Sequence, residues 1–166
     1  MIVMKIQTVI VANPPAPSIV ILKPNEEDKE RFMHIVPIWI GVNEATQIGI
    51  ALEKARFSRP ITHDLFLDTL TNLDAIIDHV YIYKLVGSTF YAKLVLRQHA
   101  RLIEIDARPS DALALALRQK APIFMANEVF DKASFAYSFN KSSINEEDVN
   151  DFHTFIESLA PEDFEA

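Results

Sequence analysis

The sequence contains no cysteine, and this absence excludes several kinds of site. Without thiols the chain cannot form a disulfide framework, hold a metal through thiolates or use a cysteine nucleophile. The same absence fits a reducing compartment, so we expect a cytoplasmic protein.

Glycine is also scarce, with three residues in 166. A loop that cradles phosphate with successive backbone amides depends on glycines at fixed spacing, so no such loop is expected. The signatures of a nucleophile elbow and of a zinc protease are missing as well. The remaining candidates for chemistry are polar side chains at predicted helix starts.

No segment approaches the ~20 consecutive apolar residues that a membrane-spanning helix needs. The first residues, Met1–Lys5, lack the features of a signal peptide. We therefore expect a soluble intracellular protein with no membrane partner.

The formal net charge of -7 is unevenly distributed. From residue 142 onward there are eight acidic residues and neither Lys nor Arg, whereas residues 1–141 contain 16 basic and 15 acidic residues. Phosphate binding depends on clustered positive charge, so composition gives no positive support for a nucleic-acid partner. We assign residues 1–141 to one domain and residues 142–166 to an acidic C-terminal helix and tail packed on it.

The pattern along the chain predicts an α+β fold in a single domain. Runs of β-branched and aromatic residues predict strands, among them a three-stranded meander over residues 79–106, and Pro37 places its strand at a sheet edge or a bulge. About four helices are expected beside a mixed or antiparallel sheet. Asn43 and Thr62 are their predicted caps, and Ser143 with Glu146 forms a capping-box pattern for the last helix.

The stretch from Leu102 to Asp131 contains the corner with most of the chemistry. An alternating strand ends at Asp106, Arg108 precedes Pro109 at the first helical position, and Asp111 lies in the first turn of a helix rich in alanine and leucine. Apolar residues around the whole helix predict burial on nearly every side. Arg108 and Asp111 therefore have two interpretations, as anchors of a structural corner or as members of a site.

The polar residues at the predicted helix starts suit phosphodiester cleavage when taken together. That reaction needs carboxylates that hold a divalent cation such as Mg²⁺ or Mn²⁺, a group that moves protons, and a cation that neutralises charge on phosphate. Asp106 and Asp111 are the candidate metal ligands, His63 the candidate proton carrier and Arg108 the candidate phosphate clamp. Asp64 and Glu44 complete the set of candidate site residues.

Three ordered blocks of sequence resemble the bifunctional nuclease domain family. They read VPIWIGVNEATQIGIALE, RPITHDLFLDTL and IDARPSDALALALRQKAPIFMANEVFD, and the similarity extends from about Ile2 to Asp131. The resemblance implies an α+β domain that self-associates and cleaves both DNA and RNA. The matching residues are Pro37, Ile38, Trp39, Ile40, Gly41, Glu44, Arg59, Pro60, Thr62, His63, Asp64, Asp106, Arg108, Pro109, Ser110 and Asp111.

Two hypotheses follow from the sequence. The first is a metal-assisted nuclease of broad specificity that uses the candidate residues above. The second is a non-catalytic regulatory or scaffold module, in which the same residues serve folding and oligomerisation. The family resemblance favours the first, whereas the acidic tail, the neutral body and the missing catalytic signature favour the second.

Overall fold

The computed structural model describes residues 1–25, 31, 33–137 and 146–164. The α+β class is confirmed, with eight strands in one sheet and five α-helices among these residues. In chain order the elements are β1 (Ile2–Ile10), β2 (Ser18–Pro24), β3 (His34–Ile40), α1 (Val42–Leu52), α2 (Thr62–Asn72), β4 (Ala75–Val86), β5 (Thr89–Gln98), β6 (Arg101–Ala107), α3 (Pro109–Gln119), β7 (Ile123–Met125), α4 (Asn127–Ala133), β8 (Phe135–Ala136) and α5 (Glu146–Glu157).

The sheet is mixed, and its strand order is β6-β5-β4-β7-β1-β2-β3-β8. Only β4 and β7 run parallel among the described pairs. The predicted meander is confirmed as β4, β5 and β6, which pair antiparallel in succession. Its two tight turns contain Gly87 and His99 at positive φ. The meander ends at Ala107, so the chain enters α3 directly from the outermost strand.

Pro37 lies on a buried stretch of β3 that has a strand partner on one side only, which agrees with the edge position that the sequence predicts. It pairs with Ile21 on β2, while the short β8 reaches only His34 and Ile35 on the other side of β3. Beyond that contact β3 has no second partner among the described strands, so the missing N–H of Pro37 breaks no ladder hydrogen bond.

The main hydrophobic core lies between one face of the sheet and helices α1 to α4. In α3 every residue from Ala112 to Ala116 is buried, which confirms the prediction of a helix enclosed on nearly all sides. Its alanines let the backbone approach β4 and β5 closely, and Leu113 packs with Val80 and Ile82 in the core cluster. The beginning of α3 is therefore held firmly by burial of the helix behind it.

The opposite face of the sheet is covered at one end by α5. Phe152 and Ile156 are buried against Ile19 and Ile21 of β2. Beyond α5 the chain returns to the main core, where the Phe164 ring packs against Trp39 and other aromatic rings. The predicted capping pair at residues 143 and 146 lies outside the described side chains.

Two helices begin earlier than the sequence predicts. Asn43 was expected to cap α1, but Gly41 is the N-cap and Asn43 is the second helical residue. Thr62 was expected to cap α2, but Ile61 is the N-cap and Thr62 begins the helix. Neither N-cap residue makes a side-chain cap bond, so extended backbone before the helix defines both starts. Within the described ranges, no helix is both long and apolar enough to cross a membrane.

Candidate functional site

The first turns of α1, α2 and α3 meet at one open cavity of about 350 Å³, which we call the helix-start cavity. Residues at the start of each helix line it, so the three N-termini face a common space. Unpaired backbone amides give a helix N-terminus a partial positive charge that favours anions. The lining residues are Asn43, Glu44, Thr46, Gln47, Ile61, Thr62, His63, Arg108 and Asp111.

Glu44 owes its position to the glycine three residues before it. The Glu44 side chain folds back over the start of α1, and its Oε2 atom occupies the space that a Cβ on Gly41 would need. Glycine at position 41 therefore leaves room for the carboxylate, although the backbone there has an ordinary φ of -72°. The other oxygen, Oε1, is left to accept a hydrogen bond from Arg108.

Arg108 joins two of the predicted site residues across the cavity. Its Nε and Nη2 donate to the two carboxylate oxygens of Asp111 at 2.7 and 3.1 Å, and its Nη1 donates to Glu44 at 3.0 Å. The hydrogen bonds and charge of Asp111, with a smaller contribution from Glu44, raise the pKa of Arg108 above its usual value. The side chain is still 65% exposed, so the guanidinium is oriented by its partners yet open to a ligand.

A guanidinium has five N–H groups, of which three are used in these bonds. Two N–H groups of Arg108 therefore stay available to an anion in the cavity. Its fixed planar geometry suits the oxygens of a phosphate, which it can contact in pairs.

His63 contributes an imidazole in the first turn of α2. Its Nδ1 is buried and makes no hydrogen bond within the described part of the chain. Burial is the main cause that lowers the pKa of His63 below 6.5, and the nearby charge of Arg118 lowers it further. Asp111 and Asp64 act in the opposite direction without reversing the shift. The ring is therefore neutral at pH 7 and can accept a proton.

Asp64 follows His63 in the chain but faces a different partner. Its Oδ1 accepts a hydrogen bond from Nε of Arg118 at 3.1 Å. Arg118 is only 8% exposed, and its guanidinium also donates to the backbone oxygens of Gln47 and Ala114. Asp64 thus holds a buried cation that ties α2 and α3 to α1, and it is not among the residues lining the helix-start cavity.

The structure does not bring Asp106 to this group. On β6 it pairs in register with Lys93, whose ammonium bonds to Glu104 on the same face. Alternate strand residues point to opposite faces, so Asp106 shares the side of the sheet opposite to α1, α2 and α3. The residues that do reach the cavity from this corner are Arg108 and Asp111.

A metal site is not evident from the arrangement of carboxylates. Three of the four carboxylate oxygens of Glu44 and Asp111 accept hydrogen bonds from Arg108. Among the residues that the structure describes, no three His, Asp or Glu side chains are grouped to hold a metal ion. These donors, arranged as they are, do not fit a divalent cation, which needs free oxygen ligands. The metal site expected at Asp106 and Asp111 stays a prediction, and no chemical step is derived from it.

Several lining residues were not identified from the sequence. Asn43 was taken only as a cap, Thr62 as a cap and a family-matching residue, and Thr46 and Gln47 were not singled out, although all four line the cavity. Arg118 was also not among the candidate site residues. A polar residue within an otherwise apolar buried helix is the signal that marks it, because burial of a charge requires specific partners.

Comparison with known proteins shows the family of this chain. The family model of the bifunctional nuclease domain matches residues 20–138, which is most of the chain. The chain belongs to the bifunctional nuclease domain family. It is also 34% identical over 146 residues to MT1877 and Rv1829, two uncharacterized proteins from two strains of Mycobacterium tuberculosis, covering 85% of each chain.

The three blocks that carry the family resemblance occupy corresponding places in this structure. The first contains the junction of β3 and α1, the second begins just before α2, and the third contains the junction of β6 and α3. All three contribute residues to the helix-start cavity, including Glu44, His63 and Arg108. Segments distant in the sequence are thus brought together at one place.

Proposed function

We propose that this protein is a nuclease that cleaves phosphodiester bonds at the helix-start cavity. The observation that carries the proposal is that the three family blocks converge there, with Arg108 and a neutral His63 between three helix N-termini. Membership of a family described by nuclease activity supports the same chemical class. The cavity volume of about 350 Å³ is at the small end of ligand sites, which suits one phosphodiester group and its immediate neighbours.

In this proposal Arg108 and the helix N-termini bind the scissile phosphate. Charge that develops on the non-bridging oxygens during attack is stabilised by donors that are already in place. Asp111 and Glu44 hold the guanidinium plane, so they act as positioning residues. Their fixed hydrogen bonds reduce the cost of orienting the long arginine side chain when substrate binds.

His63 is the proposed general base. The neutral ring removes a proton from a water molecule, whose oxygen forms a new bond to phosphorus while the bond to the leaving oxygen breaks. The imidazolium that results gives its proton to the leaving oxygen, which restores the neutral ring and balances the reaction. In RNA the 2′-hydroxyl can take the place of that water in the first step.

Broad specificity follows from what the cavity offers. Arg108, His63 and backbone amides recognise phosphate and its reaction, and contacts to phosphate carry no direct sequence information. We therefore propose that both DNA and RNA are substrates. A dependence of cleavage on Mg²⁺ or Mn²⁺ stays an expectation that the assay can test. A cytoplasmic location of the protein stays an expectation as well.

The test is cleavage of labelled single-stranded DNA, duplex DNA and RNA by the purified protein, with and without a chelator. The proposal expects turnover by wild type, severe loss in His63→Gln and Arg108→Met, and full activity in two matched controls. The controls are His153→Gln and Arg101→Met, which alter exposed side chains on α5 and β6. Equal activity in all four variants would place the activity elsewhere or expose a contaminant.

A scaffold role is the second candidate function, and two observations favour it. The three bonds of Arg108 brace the start of α3 against α1, which a purely structural corner also requires. In addition, β6 has no partner on its outer edge within the described chain, and Leu102 and Ile105 are 61% and 40% exposed there. An open, apolar edge strand favours self-association by strand pairing.

The two candidates give different results in solution. Self-association through β6 predicts that wild type is an oligomer in light scattering and that Leu102→Lys shifts it toward the monomer. Wild type without turnover on any nucleic acid, together with such an oligomer, would support the scaffold and reject the nuclease.

A further inference from the structure

A second cavity of about 600 Å³ lies at the opposite ends of α1 and α3, and we call it the helix-end cavity. Its lining residues are Ile50, Ala51, Leu52, Lys54, Ala55, Arg56, Asp64, Leu67, Asp68, Leu117, Arg118 and Lys120. It adjoins the helix-start cavity, because Arg118 in its wall bonds to Gln47 in the wall of the other. His63 and Asp64, consecutive in α2, line one cavity each.

The helix-end cavity carries a surplus of positive charge. Four basic residues line it against two acidic ones, in a protein whose formal net charge is -7. Arg118 is committed to Asp64, but Lys54, Arg56 and Lys120 form no ion pair in the part of the chain that the structure describes. Three basic side chains with no charged partner in the described structure thus surround one concave surface.

The two lysines occupy backbone positions that glycine normally fills. Lys54 and Lys120 have φ of 53° and 58°, in the left-handed region that L-residues disfavour. Each follows a helix whose last carbonyls are already satisfied, since Lys54 and Ala55 donate to Ala51 and Ile50. Lys120 and Ala121 make the equivalent bonds to Leu117 and Ala116. This Schellman arrangement favours glycine at the left-handed position, so the fold alone does not explain a lysine.

Complementing the helix dipole is the simpler explanation for a lysine at a helix end. The end of α2 shows that the helices around these cavities do not generally need a lysine there. Helix α2 also ends with a left-handed residue, yet that residue is Asp74, which has the opposite charge and lies outside both cavities. Among the left-handed helix ends that the structure describes, lysine occurs at the two that face the helix-end cavity and not at the third.

We propose that the helix-end cavity binds the phosphate backbone of the nucleic-acid strand that is cut in the helix-start cavity. This inference rests on the proposed function and deepens it, because it names a second contact on the same substrate. The phosphates next to the scissile one pair with Lys54, Arg56 and Lys120. They lie on the side of α2 that carries Asp64, the residue after His63. The basic residues contact the backbone alone, so the site adds affinity without sequence preference.

The test compares two double variants matched in residue type and charge. Arg56→Gln/Lys120→Gln removes cations from the cavity, and Arg101→Gln/Lys132→Gln removes an arginine and a lysine elsewhere. The probe is a fluorescent phosphorothioate DNA strand, which resists cleavage. We expect the first double variant to bind about tenfold more weakly and to reduce the slope of log affinity against log salt by about 1.4, because two phosphate contacts are lost. The second should match wild type.

The outcomes separate this inference from the proposed function. Wild type that cleaves nucleic acid, with equal affinity and slope in both double variants, would overturn the inference and leave the function standing. Wild type that neither binds the strand nor cleaves would overturn both. A phosphorothioate dinucleotide, too short to reach both cavities, should bind wild type and the cavity variant equally.

Glycine substitutions distinguish binding from a role in the fold. Lys54→Gly/Lys120→Gly relieves the left-handed strain while it removes both charges, so the melting temperature should stay equal or rise. Affinity for the long strand should nevertheless fall. A variant that keeps its melting temperature and binds the strand as tightly as wild type would contradict a phosphate-binding role for these lysines.

Discussion

The two cavities lie at opposite ends of α1 and α3 and differ in how their charges are used. At the helix-start cavity the cation Arg108 is held by two carboxylates in a defined orientation. At the helix-end cavity Lys54, Arg56 and Lys120 have no ion-pair partner among the described residues. Fixed groups suit the chemical step, where geometry decides the rate, whereas unpaired cations suit binding of a flexible polyanion.

The helix dipoles reinforce this difference. Three N-termini give the first cavity partial positive charge from the backbone, which adds to the charge of Arg108 and opposes that of the two carboxylates that hold it. The ends of α1 and α3 give the second cavity partial negative charge, which its basic side chains must outweigh. Loss of a side-chain cation at the helix-end cavity should therefore mainly weaken binding of the nucleic-acid strand. Loss of the cation at the helix-start cavity should mainly disturb the orientation of the scissile phosphate.

Removal of the proposed base should give the largest loss of cleavage activity and should affect the helix-start cavity alone. His63→Gln is expected to lower cleavage by about 10²- to 10⁴-fold while it leaves affinity for a long strand nearly unchanged. The pKa of His63 lies below 6.5, so wild type should keep its activity as pH falls through 6.5 and lose it only when the ring becomes protonated at lower pH. Single-turnover rates between pH 5 and 8 measure both effects.

The His63 variant should lack that decline at low pH, provided that it stays folded. A decline with the same midpoint in wild type and variant would assign the titration to another group.

Removal of the oriented cation should have the next largest effect. Arg108→Met is expected to lower the single-turnover rate by about 10²- to 10³-fold, the usual cost of losing one donor to a developing oxyanion. Arg108→Lys should recover only part of this loss, because an ammonium cannot make the paired contacts of a guanidinium. The exposed ion pairs contribute about 1 kcal/mol or less to folding, so thermal unfolding should change little.

If Arg108→Lys restored the full rate, the geometry described for the guanidinium would be irrelevant to the reaction. A large loss of stability in Arg108→Met would instead favour the structural corner.

Arg118 belongs to the wall between the cavities, and its loss should affect stability first. Arg118→Met is expected to destabilise the fold by about 2–3 kcal/mol, because Asp64 and the backbone oxygens of Gln47 lose a charged donor in a buried place. The melting temperature should fall by about 5–10 °C.

Arg101→Met, at an exposed position on β6, is the control for Arg118→Met and should stay within about 0.5 kcal/mol of wild type. An Arg118 variant as stable as this control would mean that α1, α2 and α3 do not depend on the buried guanidinium.

The smallest loss of cleavage activity is expected at Gly41. It tests whether the contact between Glu44 and Arg108 matters within the helix-start cavity. Gly41→Ala places a methyl group where the Glu44 carboxylate lies, and that carboxylate can move because it ends a flexible side chain. Stability should change little, while loss of one positioning contact to Arg108 should reduce cleavage by about tenfold. Gly49→Ala, within α1 and without close contacts to an added Cβ, is the matched control.

Cleavage by Gly41→Ala at the wild-type rate would show that Glu44 has no part in orienting Arg108.

Much of the fold follows from local sequence. Alternation and β-branched residues correctly predicted the meander, and Pro37 correctly predicted an open strand edge. Helix starts were less well predicted, because a potential capping side chain at Asn43 or Thr62 did not determine where the backbone turns. Extended residues before each helix, Gly41 and Ile61, set those boundaries.

The candidate site was predicted in composition but not in arrangement. Glu44, His63, Arg108 and Asp111 were all named from the sequence, yet the contact of Arg108 with Glu44 spans 64 residues and depends on the packing of α1 against α3. Asp106 could have been separated from the group, since strand alternation with Ile105 already puts the two side chains on opposite faces. The position of Arg118 in an otherwise apolar helix could have marked it as a buried cation, but its partners Asp64 and Gln47 depend on tertiary contacts that no local pattern indicates.

Locating a substrate analogue on the protein by NMR would test directly whether the helix-start cavity is the phosphodiester site. Backbone amide shifts would be followed in ¹⁵N-labelled protein during titration with a phosphorothioate dinucleotide. We predict the largest shifts at residues 42–44, 62–64 and 110–111, in the first turns of the three helices, and their loss in Arg108→Met. Shifts confined to other surfaces, or none at saturating dinucleotide, would contradict the assignment of the helix-start cavity as the phosphodiester site.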